Sequence, residues 1–341
     1  MSPRTRLGAA FVLALTVTGC AAPAETVPSS GPSSGGSPAQ QVVTVTSCGQ
    51  ELSFQRPPSR AVTLEQSSTE LLLALGLQDR MAGTSNLKTE IPPRYRAAYE
   101  RIPVLNPKII TSEQLRAATP DLAVSPFASL FTKDRAGTRE ELHRAGLPTY
   151  VSAVDCPDLA ENGLTPFDLL FQDYENLGRI FRAEERAAAL IAEQRAAVEA
   201  AAASRKEATG RPSILWLYSM FNGVPYVAGD GGMPSAMSEL LGAENAFDDV
   251  DELWPEVSWE EVARRDPDVI VIGDLSERGR PGDSAEEKIA MMRENPLAAE
   301  LTAVRENRLI EVPGIEMDPS VRTVDTLRLV ADGLRRLGRV R

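Results

Sequence analysis

The chain has 341 residues, 43% hydrophobic and 25% charged, which is the balance of a folded globular protein and not of a disordered one. Its net charge of −12 comes with no basic cluster beyond scattered arginines, which argues against nucleic acid as a partner. His143 is the only histidine, so there is no imidazole cluster for a bare zinc or manganese ion, and no metal site is expected.

From the N-terminus, Arg4 and Arg6 form a basic start, residues 7–17 are largely apolar, and Leu-Thr-Val-Thr-Gly-Cys ends on Cys20. About eleven apolar residues are too few to cross a bilayer, so residues 1–20 read as a signal peptide. Ending on Gly-Cys, that segment resembles a bacterial lipobox, in which Cys20 would carry the lipid. Residues 21–40 are dominated by Ala, Pro, Ser and Gly and build no core. As a flexible tether they would span roughly 25 Å.

The remaining residues, about 300, exceed one comfortable core and fit two domains. A strand is expected at 61–64 and a helix start at Gln66-Ser67-Ser68-Thr69, closed near Gly76. Further strands are expected at 81–83, 122–124 and 150–151. Residues 166–206 are rich in Ala, Glu, Arg and Leu. Leu169, Leu170, Leu177, Ile180, Phe181, Ala188, Leu190 and Ile191 recur there at helical intervals. Forty residues of helix would run about 60 Å, with Gly178 as a place for a break. Beyond it come strands at 213–218, 226–227, 269–272 and 309–312, with helices at 235–241 and 321–337. Alternating strands and helices imply an α/β fold: two Rossmann-like lobes with parallel sheets, joined by one long α-helix. The expected division is an N-terminal lobe at 41–163, a linker helix at 164–208 and a C-terminal lobe at 209–341.

Cys48 and Cys156 are the other two cysteines. In an exported protein such a pair reads as a disulfide before a metal site, here pinning the N-terminal segment to the first lobe. Two free buried thiols are the alternative.

The strongest internal signal is a repeat. Residues 111–124 read Thr-Ser-Glu-Gln-Leu-Arg-Ala-Ala-Thr-Pro-Asp-Leu-Ala-Val, and residues 258–271 read Ser-Trp-Glu-Glu-Val-Ala-Arg-Arg-Asp-Pro-Asp-Val-Ile-Val. Each opens with a capping box, Thr111 with Gln114 and Ser258 with Glu261. Each helix should stop before Pro120 or Pro267, and a short apolar strand follows. The repeat places Glu113 and Glu260 at equivalent, exposed helix starts.

With this order of motifs the chain, over roughly residues 56–341, resembles a substrate-binding lipoprotein of an ABC importer. The group is the one serving ferric siderophores, cobalamin and haem, with the class III periplasmic binding protein fold. The resemblance rests on Pro57-Pro58-Ser59-Arg60-Ala61-Val62-Thr63-Leu64 leading into Thr69-Glu70-Leu71-Leu72-Leu73-Ala74-Leu75-Gly76. It rests further on the two Glu-bearing Pro-Asp units, on Trp254-Pro255-Glu256-Val257-Ser258-Trp259-Glu260 and on the helical linker. It implies that Glu113 and Glu260 dock on arginines of a permease dimer that works with its ATPase. It also implies a ligand held between the lobes, outside the C-terminal ends of the strands. From the first lobe Gln66, Ser67, Ser68, Asn86, Tyr95 and Phe127 are nominated, and from the second Phe221, Asn222, Tyr226, Trp254 and Arg322. Aromatics would stack on a flat chelate, and Arg322 would pair with an anionic one.

No P-loop or Cys–His pair is visible. The Gly-x-Ser-x-Gly match at 31–35 lies in the tether without the strand and helix that a nucleophile elbow needs. Asp248 and Asp249 read as a solvated loop. No catalytic residue and no cofactor are therefore expected. The sequence reads as a monomeric, lipid-anchored receptor on the extracytoplasmic face of the cell membrane. Its cargo is a metal chelate, a ferric siderophore first, with cobalamin or haem as alternatives; an exported α/β enzyme or a sensing lipoprotein are the readings from other classes.

Overall fold

A computed structural model describes residues 41–156, 163–203, 205 and 210–338. The signal segment, Cys20 and the tether lie outside the described residues.

The chain enters through a hairpin that the sequence reading did not place. Val43–Ser47 (β1) and Gln50–Phe54 (β2) pair antiparallel, with Val45, Ser47, Leu52 and Phe54 buried and the alternate residues exposed or nearly so. The connecting Cys48-Gly49 has φ of +43° and +74°, the primed-turn geometry that suits a two-residue hairpin. Cys48 at this tip is disulfide-bonded to Cys156, with 5.3 Å between their Cα atoms. In the chain-entropy picture, closing a loop this long stabilises the fold by about 4–5 kcal/mol.

The first sheet is wholly parallel: Ala61–Thr63 (β3), Met81–Ser85 (β4), Val104–Asn106 (β5), Leu122–Ser125 (β6) and Thr149–Val151 (β7), in the order β5-β4-β3-β6-β7. Between the strands run Gln66–Ala74 (α1), Pro93–Tyr99 (α2), Ser112–Ala117 (α3) and Arg139–Arg144 (α4). The chain builds outward from β3 to β5 and then returns to lay β6 on the other side of β3, so the topological switch lies between β3 and β6.

The second sheet has Ser213–Phe221 (β8), Glu244–Asn245 (β10), Val269–Asp274 (β11) and Leu309–Pro313 (β12) in the parallel order β10-β8-β11-β12. Val224–Val227 (β9) folds back antiparallel on the far half of β8 through Asn222-Gly223, both at positive φ. Met233–Leu240 (α7), Trp259–Arg265 (α8), Ala285–Glu294 (α9), Thr302–Arg305 (α10) and Thr323–Arg336 (α11) cover it. Here the switch lies between β8 and β11.

The single rod expected between the lobes is two helices. Pro166–Phe181 (α5) is capped by Thr165, and Arg182 in the left-handed region (φ +56°) ends it. Glu184–Ala203 (α6) then runs back along it. Gly178 itself stays helical: a Cβ there would lie 2.6 Å from the Ala187 Cβ, so its absence lets the two helices touch. This helical hairpin grips both lobes. Asp173 accepts from the Tyr150 hydroxyl (2.6 Å) and Ala153 N–H (2.9 Å) in the first. Tyr174 and Gln194 donate to the carbonyls of Ser320 (3.3 Å) and Val321 (2.8 Å) in the second. One apolar cluster accordingly runs from Leu72 and Tyr150 through Leu170, Leu177 and Ala187 to Trp216 and Leu327, while separate clusters fill the opposite face of each sheet. No helix among the described residues is long and apolar enough to cross a membrane.

Candidate functional site

The carboxyl ends of both sheets face one another across a boundary with a closed part and an open part. The closed part is a seam of buried charge. Glu65 follows β3 and caps α1, its carboxylate accepting from the Ser67 N–H at 2.7 Å. Gln66 then clamps the segment after β4. Its carbonyl oxygen accepts from the N–H groups of Lys88 (2.9 Å) and Thr89 (3.0 Å), and its amide donates to Glu70 (2.9 Å) and the Thr89 carbonyl (3.0 Å). The clamp aims Lys88 across the boundary. Its ammonium meets Asp318 at 2.9 Å and the Tyr218 hydroxyl at 2.9 Å in the second lobe, and Glu65 at 3.3 Å in its own. A second bolt runs the other way. Arg322 pairs with Glu316 at 2.7 Å and reaches Glu70 at 3.5 Å in the first lobe.

Four carboxyls, Glu65, Glu70, Glu316 and Asp318, share the seam with two cations, so full ionisation would leave two negative charges unmatched in the interior. Burial pushes Glu70 up to about 7, with Arg322 and Gln66 opposing and Glu65 reinforcing. Burial likewise raises Asp318 to about 6 against the pull of Lys88. Burial disfavours the Lys88 ammonium, but Asp318, Glu65 and Tyr218 outweigh it, and its pKa stands well above the ordinary lysine value. The Lys88 and Arg322 charges are thus committed to holding the lobes together.

The open part is a cleft of about 400 Å³, within the usual range for small-molecule sites. Its walls come from the loops after β4 (Asn86, Lys88), β5 (Lys108, Ile109) and β6 (Phe127, Arg135). Across from them stand the β8–β9 hairpin (Tyr218, Phe221, Tyr226) and the turn after β11 (Arg278, Arg280). The loop after β6 borders the switch point of the first sheet, and those after β8 and β11 border that of the second, where an α/β protein places its ligand. Phe221 and Tyr226 pack edge to face at 5.8 Å, the Lys88 ammonium lies 5.2 Å from the Phe127 ring centre, and Arg278 lies 5.6 Å from that of Phe221. A second cavity of about 470 Å³ lies beside the Thr89–Glu90 segment, lined by Pro92, Pro93, Asp274, Glu311 and Arg322. Though larger, it lacks aromatic walls, and its one cation is already engaged by the seam, so the cleft is the better ligand site.

Of the nominated residues, Asn86, Phe127, Phe221 and Tyr226 come together in the cleft. The rest go elsewhere. Gln66, Ser67 and Ser68 are 1%, 1% and 6% exposed: the helix start turns them inward to build the seam and the packing beneath it. Tyr95 sits on α2 with its ring 5.0 Å from the Arg94 guanidinium, away from the cleft. Asn222 is the exposed tip of the β8–β9 turn. Trp254 packs on Tyr218 at 4.6 Å and lies one layer behind the lining. Arg322 is a bolt, not a free cation. The sequence reading missed Lys88, Lys108, Arg135, Tyr218, Arg278 and Arg280. A compositional hint existed for two: the chain has only five lysines, and Lys88 and Lys108 are among them.

The repeat holds in the backbone and in the side-chain N-caps, but the expected capping box is complete only in the first unit. Thr111 and Gln114 form the full capping box (3.3 and 3.0 Å). Ser258 accepts from the Glu261 N–H at 3.2 Å, but the Glu261 carboxylate turns to Arg264 and Arg265, whose hydrogen bonds hold it down at about 2. Thr119 and Asp266, each preceding the proline, both adopt positive φ, at +44° and +39°. The Pro-Asp acids also match, Asp121 accepting from the Ser59 N–H (2.8 Å) beside β3 and Asp268 from the Ser213 N–H (3.0 Å) of β8. Glu113 and Glu260 are exposed, and neither has an ion-pair partner among the described residues. Glu113 follows the cleft-lining Lys108–Ile109 segment by four residues, and Glu260 follows the cleft-lining Glu256 by the same number.

Among the described residues, no group of three or more His, Cys, Asp or Glu is placed to hold a metal ion. His143 lies on α4, where its Nε2 accepts from the Thr149 N–H at 3.0 Å.

Comparison with known proteins agrees with this architecture. A sequence profile described as periplasmic binding protein matches residues 62–315. A cobalamin-binding protein of Halobacterium salinarum is 27% identical over 232 residues, which are 67% of this chain and 57% of that protein, so the match spans little more than half its length. Among solved structures, a periplasmic binding protein from Veillonella parvula superposes with a TM-score of 0.72 at 30% identity, over 86% of this chain and 97% of that one. An ABC-type Fe3+-hydroxamate transport system from Saccharomonospora viridis gives a TM-score of 0.72 at 29% identity, over 86% and 98%. By the profile match across most of its length and by its fold, the chain belongs to the periplasmic binding protein family.

Proposed function

We propose that this protein is an extracytoplasmic receptor, lipid-anchored through Cys20, that binds a metal chelate between its lobes and delivers it to an ABC importer. One observation carries the reading. The aromatic-walled cleft at the strand ends is lined by Ile109 and Glu256, and four residues after each stands an exposed glutamate with no ion-pair partner among the described residues, Glu113 and Glu260, on matched helices of the two lobes. An exposed carboxylate of this kind suits bidentate pairing with a guanidinium, one for each half of a permease dimer. The two bolts and the helical hairpin hold the lobes at several points, which favours a small closure on ligand over a wide hinge motion. A ferric siderophore is the first cargo, in keeping with the Saccharomonospora structure. Cobalamin is the second, favoured by the halobacterial relative. Asn86, Phe127, Tyr218, Phe221 and Tyr226 are the proposed ligand contacts.

Trp254, in tilted contact with Tyr218 behind the lining, is the reporter for a titration with ferric siderophores, haemin and cyanocobalamin. Saturable quenching by one class names the cargo. For docking, Glu113→Ala with Glu260→Ala should lower uptake through the partner importer at least tenfold and leave the dissociation constant within twofold. An affinity loss matching the uptake loss would remove both residues from the docking role.

A further inference from the structure

The cleft is charged against the grain of the molecule. The chain carries −12 overall, yet the cleft lining holds five basic side chains and one acid, Glu256. Two of the five are already answered, Lys88 by Asp318 and Glu65, and Arg278 by Asp283 at 3.4 Å. Lys108 and Arg280 have no carboxylate partner among the described residues, and Arg135 has only the exposed Asp134 at 3.9 Å. The spare positive charge therefore comes from both lobes, with Lys108 and Arg135 on one wall and Arg280 on the other.

The turn that carries Arg278 and Arg280 is anchored from below. The Leu275 N–H donates to the Asp283 carbonyl (2.9 Å) and the Arg280 N–H to the Asp283 carboxylate (3.1 Å), closing the loop on itself. Beneath it Lys288 of α9 is fully buried, and its ammonium donates to the carbonyls of Gly273 (2.5 Å) at the end of β11 and Asp283 (2.6 Å). Taking an ammonium out of water is costly, and burial accordingly pushes Lys288 down to about 8. A solvent-facing loop without a task gains little from such a staple. A loop that must present guanidinium groups at fixed positions needs its backbone held from beneath.

We propose that this stapled 275–283 turn, together with Lys108 and Arg135 on the facing wall, is an anion-recognition element that selects chelates of net negative charge, with carboxylate or catecholate oxygens enclosing the metal, over neutral and cationic ones. The inference rests on the receptor reading above. Lys288 is a positioning residue, acting through the two arginines. Within a cleft of low-dielectric walls the three spare cations focus potential on the ligand, and they offer guanidinium forks to its oxygens.

The test is calorimetric titration of the full chain with three iron-saturated chelates: a trianionic tris-catecholate, a neutral tris-hydroxamate and a cationic tris-hydroxamate. The trianionic chelate should bind at least tenfold more tightly than the other two. Its affinity should fall at least tenfold between about 0.1 M and about 1 M sodium chloride, as the screening length shrinks from about 10 Å to about 3 Å. Arg135→Gln with Arg280→Gln should weaken the trianionic chelate at least tenfold, flatten that salt dependence, and change the neutral chelate less than twofold. Lys288→Met should lower the same ratio of affinities; if that variant does not fold, the arginine pair carries the test. Equal or tighter binding of the neutral or cationic chelate overturns anion selection and leaves the receptor standing. Equal losses for all chelates in the arginine variant also overturn it. Binding of none of the three chelates overturns anion selection, and only if haemin and cyanocobalamin also fail to bind is the receptor reading itself lost.

Discussion

The seam and the cleft occupy one inter-lobe boundary and treat their charges in opposite ways. In the seam Lys88 and Arg322 are buried and each faces carboxylates from both lobes. In the cleft, on the neighbouring loops after β5 and β11, Lys108 and Arg280 are exposed and have no carboxylate partner among the described residues. A buried cation must be matched or it unfolds its surroundings; a cation at a solvated rim costs little until something arrives to pair with it. The boundary thus divides into a part that sets lobe geometry and a part left available to a ligand. Substitutions on the two sides should therefore behave differently.

The largest effect belongs to the seam. Lys88→Met leaves Asp318 and Glu65 buried without their cation and should destabilise the fold by about 3–5 kcal/mol, read from urea unfolding. A change below about 1 kcal/mol would mean that the seam is wetter and looser than its geometry implies.

Next comes the pH dependence of the same network. The folded-state value of Glu70 is raised from the ordinary 4.5 to about 7. The folded protein therefore holds a proton that the unfolded chain releases. The resulting stability is fully present below about pH 4.5 and is lost as pH rises through about 7, a swing on the order of 3 kcal/mol. Asp318, raised to about 6, adds in the same direction. Unfolding free energies measured from about pH 5 to about pH 8 should fall with pH, and Glu70→Gln should flatten that slope. An unchanged slope in the variant would place the titration elsewhere.

A smaller effect is expected behind the seam. Gly178→Ala puts a Cβ 2.6 Å from that of Ala187 and forces the helical hairpin apart, at about 1–3 kcal/mol in a thermal melt. Smallest is Arg280→Gln at the cleft rim, which should shift stability by no more than about 0.5 kcal/mol. A loss as large as that of Lys88→Met would show that the cleft cations also hold the fold.

Much of the fold was legible because it is written in local periodicity. The strands at 61–63, 122–125, 213–221 and 269–274 are apolar runs bounded by turn signals, and α1, α7 and α11 fall close to where apolar spacing puts them. The β1–β2 hairpin carries a local signal too, since Val43, Val45, Leu52 and Phe54 alternate with polar residues on either side of Cys48-Gly49. The site was less legible. Gln66, Ser67 and Ser68 follow the first strand, where a binding loop often lies, and nothing local shows that Glu65 would cap α1 and draw them inward. The break between α5 and α6 was legible only in part: Gly178 offered a place for it, whereas the chain turns four residues later at Arg182, and Gly178 serves a helix contact whose partner lies nine residues away.

Residue order alone fixed the parallel α/β lobes and the matched Glu-bearing units, because caps, prolines and apolar spacing act within a few residues of one another. It could not say which cations stay spare. That depends on carboxylates 230 residues from Lys88 and 252 residues from Arg322, which reach them only when the two sheets are brought face to face. An arginine in the interior and one at the rim look identical in a sequence. Desolvation and the distance to the nearest acid separate them, and both are set by the tertiary fold.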